Sequence, residues 1–159
     1  MSSRRTQARR YAVLALYQWQ VSGTPPAEIA RHFLDDPTWI EALAAGLAGL
    51  NDDEPQLKPA RYDIGLFQDL LRGVTEHHTA VDEALRPCLD RSLASIDPVE
   101  RAILRVGAYE ILYCPAMPAP VVINEAINLA KLLGAEQGHR YINGVLDRLA
   151  RSTPAAAMG

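Results

Sequence analysis

Residues 1–27 contain Arg4, Arg5, Arg9 and Arg10 and no acid; the first carboxylate is Glu28. The stretch has helical periodicity, and a helix N-terminus already carries partial positive charge, so these cations oppose the backbone dipole. Stability alone would favour acids there. The pattern fits either a solvated, frayed basic end or a site for an external anion, and the lack of any acid tilts the reading to the second. Another cationic set closes the chain. On a wheel drawn through the last helix, Ile142, Val145, Leu146 and Leu149 form an apolar stripe, while Gln137, Arg140, Tyr141, Gly144, Arg148 and Arg151 fall on the other side. Arginines meet phosphates, an aromatic ring offers a flat face to an unpaired base, and Gln137 can bond a base edge. Gly144 weakens a helix by about 1 kcal/mol relative to alanine, which suggests close approach of a backbone or a partner. The plainer alternative is a rim tyrosine with ordinary helix-end cations, favoured near a C-terminus.

The remaining polar residues suggest structure more than chemistry. Asn124, Asn128 and Asn143 sit beside core positions although asparagine is a poor helix former. They are expected to be buried amides that tie helices together in register. Glu100, Arg101, Arg105, Glu110 and Glu125 stand at helical spacing and read as surface charge pairs of little weight. His32, His77, His78 and His139 form no His-x-x-x-His pair and no His/Cys constellation, so solvated or rim positions are expected rather than metal ligands. No phosphate-cradling glycine loop, nucleophile elbow or paired-carboxylate frame occurs. The chain reads as a non-enzyme with neither cofactor nor metal.

With 159 residues, 48% of them hydrophobic, the chain can bury a core and general disorder is excluded. A net charge of −3 argues against nucleic acid only on average, since all 19 acidic residues follow the arginine-bearing start. A basic arm on an acidic body suits an anionic partner at one end and a basic partner elsewhere. Cys88 and Cys114 lie outside any CxxC pattern and fit a reducing compartment. The apolar stretch 11–17 is too short to span a bilayer and has no cleavage pattern, so a soluble, cytoplasmic protein is expected, with no membrane partner.

These residues must be positioned by helices, because few windows show strand-like alternation. The first helix runs from near Ser3 to about Val21, with Ala12, Leu16 and Trp19 as its stripe and Ser22-Gly23 as its stop. Thr24 would cap a second helix carrying Ile29, Phe33 and Leu34, with Pro25 and Pro26 in its first turn. Trp39–Leu50 reads as an alanine-rich helix and 51–61 as a flexible connection. A long helix capped near Asp63 carries Phe67, Leu70, Leu71, Val74, Val81 and Leu85 and stops at Pro87. Asp97, Pro98 and Glu100 spell an N-cap, a first-turn proline and a capping-box acid for the next helix, whose stripe is Val99, Ile103, Val106 and Tyr109. The last two helices run from near Pro120 to Gly134 and from about Glu136 to Arg151, with a frayed tail after Pro154. The expectation is an all-α fold of about seven helices: two small bundles, residues 1–86 and 87–159, packed together around one core.

Segments along most of the chain resemble the NusB family of transcription antitermination factors. The likeness begins with Arg9-Arg10 and Ala12-Val13-Leu14-Ala15-Leu16-Tyr17-Gln18-Trp19, and continues through Asp63, Phe67 and Leu70-Leu71-Arg72-Gly73-Val74. It is densest from Glu100 to Asp147, where Asn124-Glu125-Ala126-Ile127, Ala130-Lys131 and Tyr141-Ile142-Asn143-Gly144-Val145-Leu146-Asp147 stand in order. Residues 38–61 match poorly and look like a lineage insertion. The resemblance implies binding to the single-stranded box A element of ribosomal RNA leaders, jointly with the small-subunit ribosomal protein known in this role as NusE, and action on the RNA polymerase antitermination complex. It implies RNA contacts at Arg4, Arg5, Arg9, Arg10, Gln137, His139, Arg140 and Tyr141, with Tyr17 close to the same face and Tyr141 as the stacking ring. Glu100 and Glu110 would face NusE. Some members of the family form homodimers that hide the RNA surface.

Under this reading the arginine arm and the exposed side of the last helix meet as one cationic, ring-bearing platform. Two alternatives compete with it. One is a protein-only scaffold whose acidic body binds a basic partner. The other is an accessory domain of the ribosomal RNA methyltransferase type, against which stands the short stretch of chain beyond the match.

Overall fold

The computed structural model describes residues 3–47, 61–133, 135 and 138–153. The described residues form α-helices joined by turns, without strands. There are eight: α1 (Arg4–Ser22), α2 (Pro26–Asp35), α3 (Pro37–Leu47), α4 (Ile64–Glu76), α5 (His78–Leu85), α6 (Pro98–Tyr113), α7 (Ala119–Leu132) and α8 (His139–Ser152). The expected connection at 51–61, Gly134, Glu136 and the tail lie wholly or largely outside the described residues.

Local chemistry explains the boundaries. The Ser3 hydroxyl accepts from Thr6 N–H at the start of α1, and Gly23 ends the helix in the left-handed region, φ 70°. Asp63 caps α4 by accepting from Leu66 N–H. Asp97 caps α6 by accepting from Val99 and Glu100 N–H, with Pro98 in the first turn. The expected long helix is two. It breaks at His77 (φ −106°, ψ 17°), just after Thr75, whose hydroxyl donates to Leu71 and Arg72 carbonyls. Such back-bonding bends helices and is hard to foresee from apolar spacing, which continues through the break. That division raises the helix count from about seven to eight.

Two helices occupy the centre. α1 is buried on every side from Tyr11 to Leu16, more than the single stripe expected, because α2, α3, α4 and α6 surround it. α6 is nearly as enclosed; it packs on α1, α4 and α5 on one side and on α7 and α8 on the other. Gly107 lets α8 approach, since a Cβ there would come within 2.8 Å of the Leu146 side chain. One continuous apolar cluster therefore runs through both groups of helices.

α1 and α6 run antiparallel. Arg9, near the start of α1, meets Glu110 near the end of α6, while the Gln20 amide, near the end of α1, donates to the Pro98 carbonyl at the start of α6 at 2.8 Å. α8 runs parallel to α6: Gly138, just before α8, abuts Glu100, and Leu146 faces Gly107. This geometry decides which functional candidates can meet.

Candidate nucleic-acid interface

The arginines at the start of α1 divide. Arg4 and Arg5 are exposed, with Arg5 only 3.8 Å from Asp63 in a loose pair. Arg9 is 3% exposed and bound at both ends to the Glu110 carboxylate: Nε to Oε1 at 2.8 Å and Nη2 to Oε2 at 3.0 Å. Burial alone would lower the Arg9 guanidinium, but its hydrogen bond to Glu110 and the charges of Glu110 and Glu125 outweigh this and raise it. Arg10 lies against Glu41, 3.0 and 2.7 Å away, where the Tyr11 hydroxyl also donates to the same carboxylate. The expectation that Arg9 touches RNA and Glu110 touches a partner is thus corrected: the two face each other inside the protein. Arg10 is largely enclosed too, its side chain 14% exposed.

Arg105 repeats the pattern. It binds Asp82 on α5 at 3.0 and 2.9 Å and Gln20 on α1 at 2.8 Å, and both charged side chains are largely buried. Arg105 and Glu110, read from spacing as surface decoration, are instead half of two interhelical ion pairs. Spacing within one helix cannot reveal a partner on another. The asparagines go the other way: Asn124, Asn128 and Asn143 are exposed rather than buried.

α8 carries exposed arginines. Ile142, Val145, Leu146 and Leu149 are buried as expected, while Arg140 and Arg148 are exposed and Tyr141 and His139 are half-buried. Gln137 lies outside the described residues. The Tyr141 ring is held by the turn before α6. Asp90 N–H donates to its hydroxyl at 3.4 Å, and the Arg91 guanidinium lies over the ring, 4.5 Å from its centre. Arg91 in turn binds Asp90 at 2.8 Å. Hydrogen bonds from Arg91 and Tyr141 hold the exposed Asp90 carboxyl below its usual range, and burial pushes the Tyr141 hydroxyl up. Arg148 donates from Nε to the Cys88 carbonyl at 3.0 Å. Arg91 and Asp90 escaped sequence reading because they sit in a turn without periodicity, and only folding brings that turn over α8.

Glu100 is half-buried against Gly138. Burial raises its carboxyl, neighbouring Asp97 adds to this, and Arg91 opposes it. The exposed histidines pack on rings: His32 on Trp39, His77 on Tyr113 and His78 on Trp19.

The arginine arm and the start of α8 do not form one patch. The arm sits beside the C-terminal end of α6 and Tyr141 beside its N-terminal end, and Glu100 and Glu110 mark levels about 15 Å apart along that helix. Thr6 and Tyr17 share one side of α1. The Thr6 hydroxyl donates to Glu125 on α7 at 3.2 Å. Half-buried Tyr17 stands three turns later on the same side of α1, about 16 Å further toward the α8 end.

The described helices bring Tyr141, Arg91, Arg140 and Arg148 together beside α8. Among the described residues no group of His, Cys, Asp and Glu is disposed to hold a metal, and no helix is long and apolar enough to cross a membrane. The NusB family profile matches residues 6–151. Transcription antitermination protein NusB of Alkalilimnicola ehrlichii is 47% identical over 156 residues, covering 96% of this chain and 84% of its own. That of Nitrosococcus oceani is 44% identical over 155 residues, covering 98% and 90%. Among solved structures, T. maritima NusB superposes with a TM-score of 0.71 at 25% identity, covering 99% of this chain and 98% of its own. A complex of the antitermination factors NusB and NusE with double-stranded RNA contains a chain with TM-score 0.73 at 22% identity, covering 96% and 100%. The chain belongs to the NusB family of transcription antitermination proteins, a family of non-enzymatic factors.

Proposed function

We propose that the protein is a cytoplasmic RNA-binding antitermination factor that takes the single-stranded box A element of ribosomal RNA leaders jointly with NusE and acts on the RNA polymerase antitermination complex. The observation that carries this reading is the Tyr141 ring flanked by Arg140, Arg148 and Arg91 on a chain whose net charge is −3. Cations gathered around an accessible ring suit an unpaired nucleotide: charge meets phosphate and the ring meets base. Arg4 and Arg5 form a second station. A strand lying along the Thr6 and Tyr17 side of α1 reaches both. His139, Arg140 and Tyr141 stay in the proposed RNA surface, as do Arg4, Arg5 and Tyr17; Arg9 and Arg10 act behind it by fixing α1.

The similar solved complex pairs NusB and NusE with double-stranded RNA. The ring-bearing surface favours a single strand here, because a duplex hides its base faces. The test is a gel shift with a short box A leader RNA, single-stranded and as a duplex, with and without NusE. Single-strand binding at micromolar concentration or below, strengthened by NusE and weakened by salt, is expected. Partner binding with no RNA shift at low salt would favour the protein-only scaffold, and methyl transfer to ribosomal RNA would overturn the adaptor reading.

A further inference from the structure

We propose that the cleft between the end of α1 and the first half of α6 binds the phosphoryl group of a small free phosphate compound, held between Arg101 and Arg105. The cleft measures about 340 Å³ and is lined by Trp19, Gln20, Gly23, Arg101 and Arg105, with no acid among them. It lies on the side of α6 that meets α1 and α5, where Arg105 binds Gln20 and Asp82. It shares no lining residue with the cleft at Tyr141.

Arg101 carries the inference. Four arginines among the described residues are not exposed: Arg9, Arg10, Arg101 and Arg105. Three are answered by a carboxylate, each gripping it with two nitrogens: Arg9 on Glu110, Arg10 on Glu41 and Arg105 on Asp82. Arg101 has no such partner. Its Nη1 makes a long contact of 3.5 Å to the Ala94 carbonyl, and its buried Nε has no acceptor. A buried donor left unmade is costly. Burial and the charge of Arg105 lower the Arg101 guanidinium, against the opposite effect of Asp82 and Asp97. Both acids are committed elsewhere, Asp82 to Arg105 and Asp97 to the N–H groups of Val99 and Glu100. The fold thus sets two guanidinium groups at one cleft and supplies a counter-charge for one.

The unanswered charge selects the ligand. One guanidinium matches one carboxylate, as at Arg9 and Arg10. Arg105 keeps N–H groups beyond those that bind Asp82 and Gln20, since a guanidinium has five donors. Two forks at one cleft suit a dianion with several oxygens, which is phosphate chemistry. The cleft has the volume of a small-ligand site. Trp19, with Arg105 5.7 Å from its ring centre, offers an apolar wall to the body that carries the phosphate. Gln20 holds the wall in place by donating to Pro98 and accepting from Arg105.

The test is calorimetric titration of the full chain with inorganic pyrophosphate, with KCl at matched ionic strength as the control. At ten times its Kd, pyrophosphate should raise the melting temperature by about 3–6 °C. Arg101→Met removes an unanswered charge, so without the anion it should melt at or above wild type, and it should bind pyrophosphate at least tenfold more weakly. Arg101→Lys keeps the charge without the fork and should fall between the two. Box A RNA should bind wild type and Arg101→Met alike. No stabilisation beyond the KCl control, or equal pyrophosphate binding by wild type and both variants, overturns the site. Loss of RNA binding in Arg101→Met would give the cleft to the RNA backbone and overturn a site for free phosphate.

Discussion

The Arg9 guanidinium grips the Glu110 carboxylate in a two-pronged pair at 2.8 and 3.0 Å, with both side chains 3% exposed. The pair ties the two central helices together. Removing one member leaves a buried charge, which costs about 3–5 kcal/mol, whereas apolar replacement of both is often neutral or better. Arg9→Met or Glu110→Leu alone should therefore lower the urea midpoint sharply, and the double variant should recover much of the loss. If Arg9→Met weakens RNA binding with no loss of stability, Arg9 touches RNA after all.

The stacking role proposed for Tyr141 makes a direct prediction. Tyr141→Ala should weaken single-stranded RNA binding by about 1–3 kcal/mol, measured by anisotropy, while Tyr141→Phe keeps the ring and should stay close to wild type. Equal binding by the alanine variant would remove the ring from the interface.

Arg4 and Arg5 are exposed cations whose expected effect is electrostatic. Replacing both with alanine should reduce the slope of log K against log salt by about 0.7 for each phosphate that is no longer neutralised. Arg10→Met, by contrast, should leave that slope unchanged and lower stability, because Arg10 answers Glu41.

Glu100 gives a pH signature. Its carboxyl is raised in the folded protein by burial and then by Asp97, so the folded state binds the proton more tightly than the unfolded state. Stability from this group is present below the unfolded value and falls as pH rises through the folded one. Glu100→Gln should accordingly melt higher than wild type at neutral pH and lose that advantage in acid. A variant less stable than wild type at neutral pH would show that the ionised carboxylate is needed for the fold.

Legibility followed the range of the interactions. The Asp63 and Asp97 caps, the stop at Gly23 and the buried stripe of α8 depend on residues a few positions apart, and all were readable. The break at His77 was not, since apolar spacing runs through it. Arg9 and Arg105 have the residue type of nucleic-acid contacts and surface pairs, but their partners, Glu110 and Asp82, lie on other helices.

By itself the order of residues determined the helices, their apolar faces and the family, because periodicity, capping and motif spacing are local properties of the chain. Only the tertiary structure decided which charges face solvent. The antiparallel crossing of α1 and α6 turns Arg9 inward and separates the arm from α8, and the fold of the turn before α6 brings Arg91 onto Tyr141. A charge is free or paired according to what the other helices set beside it, and that is a property of packing rather than of sequence.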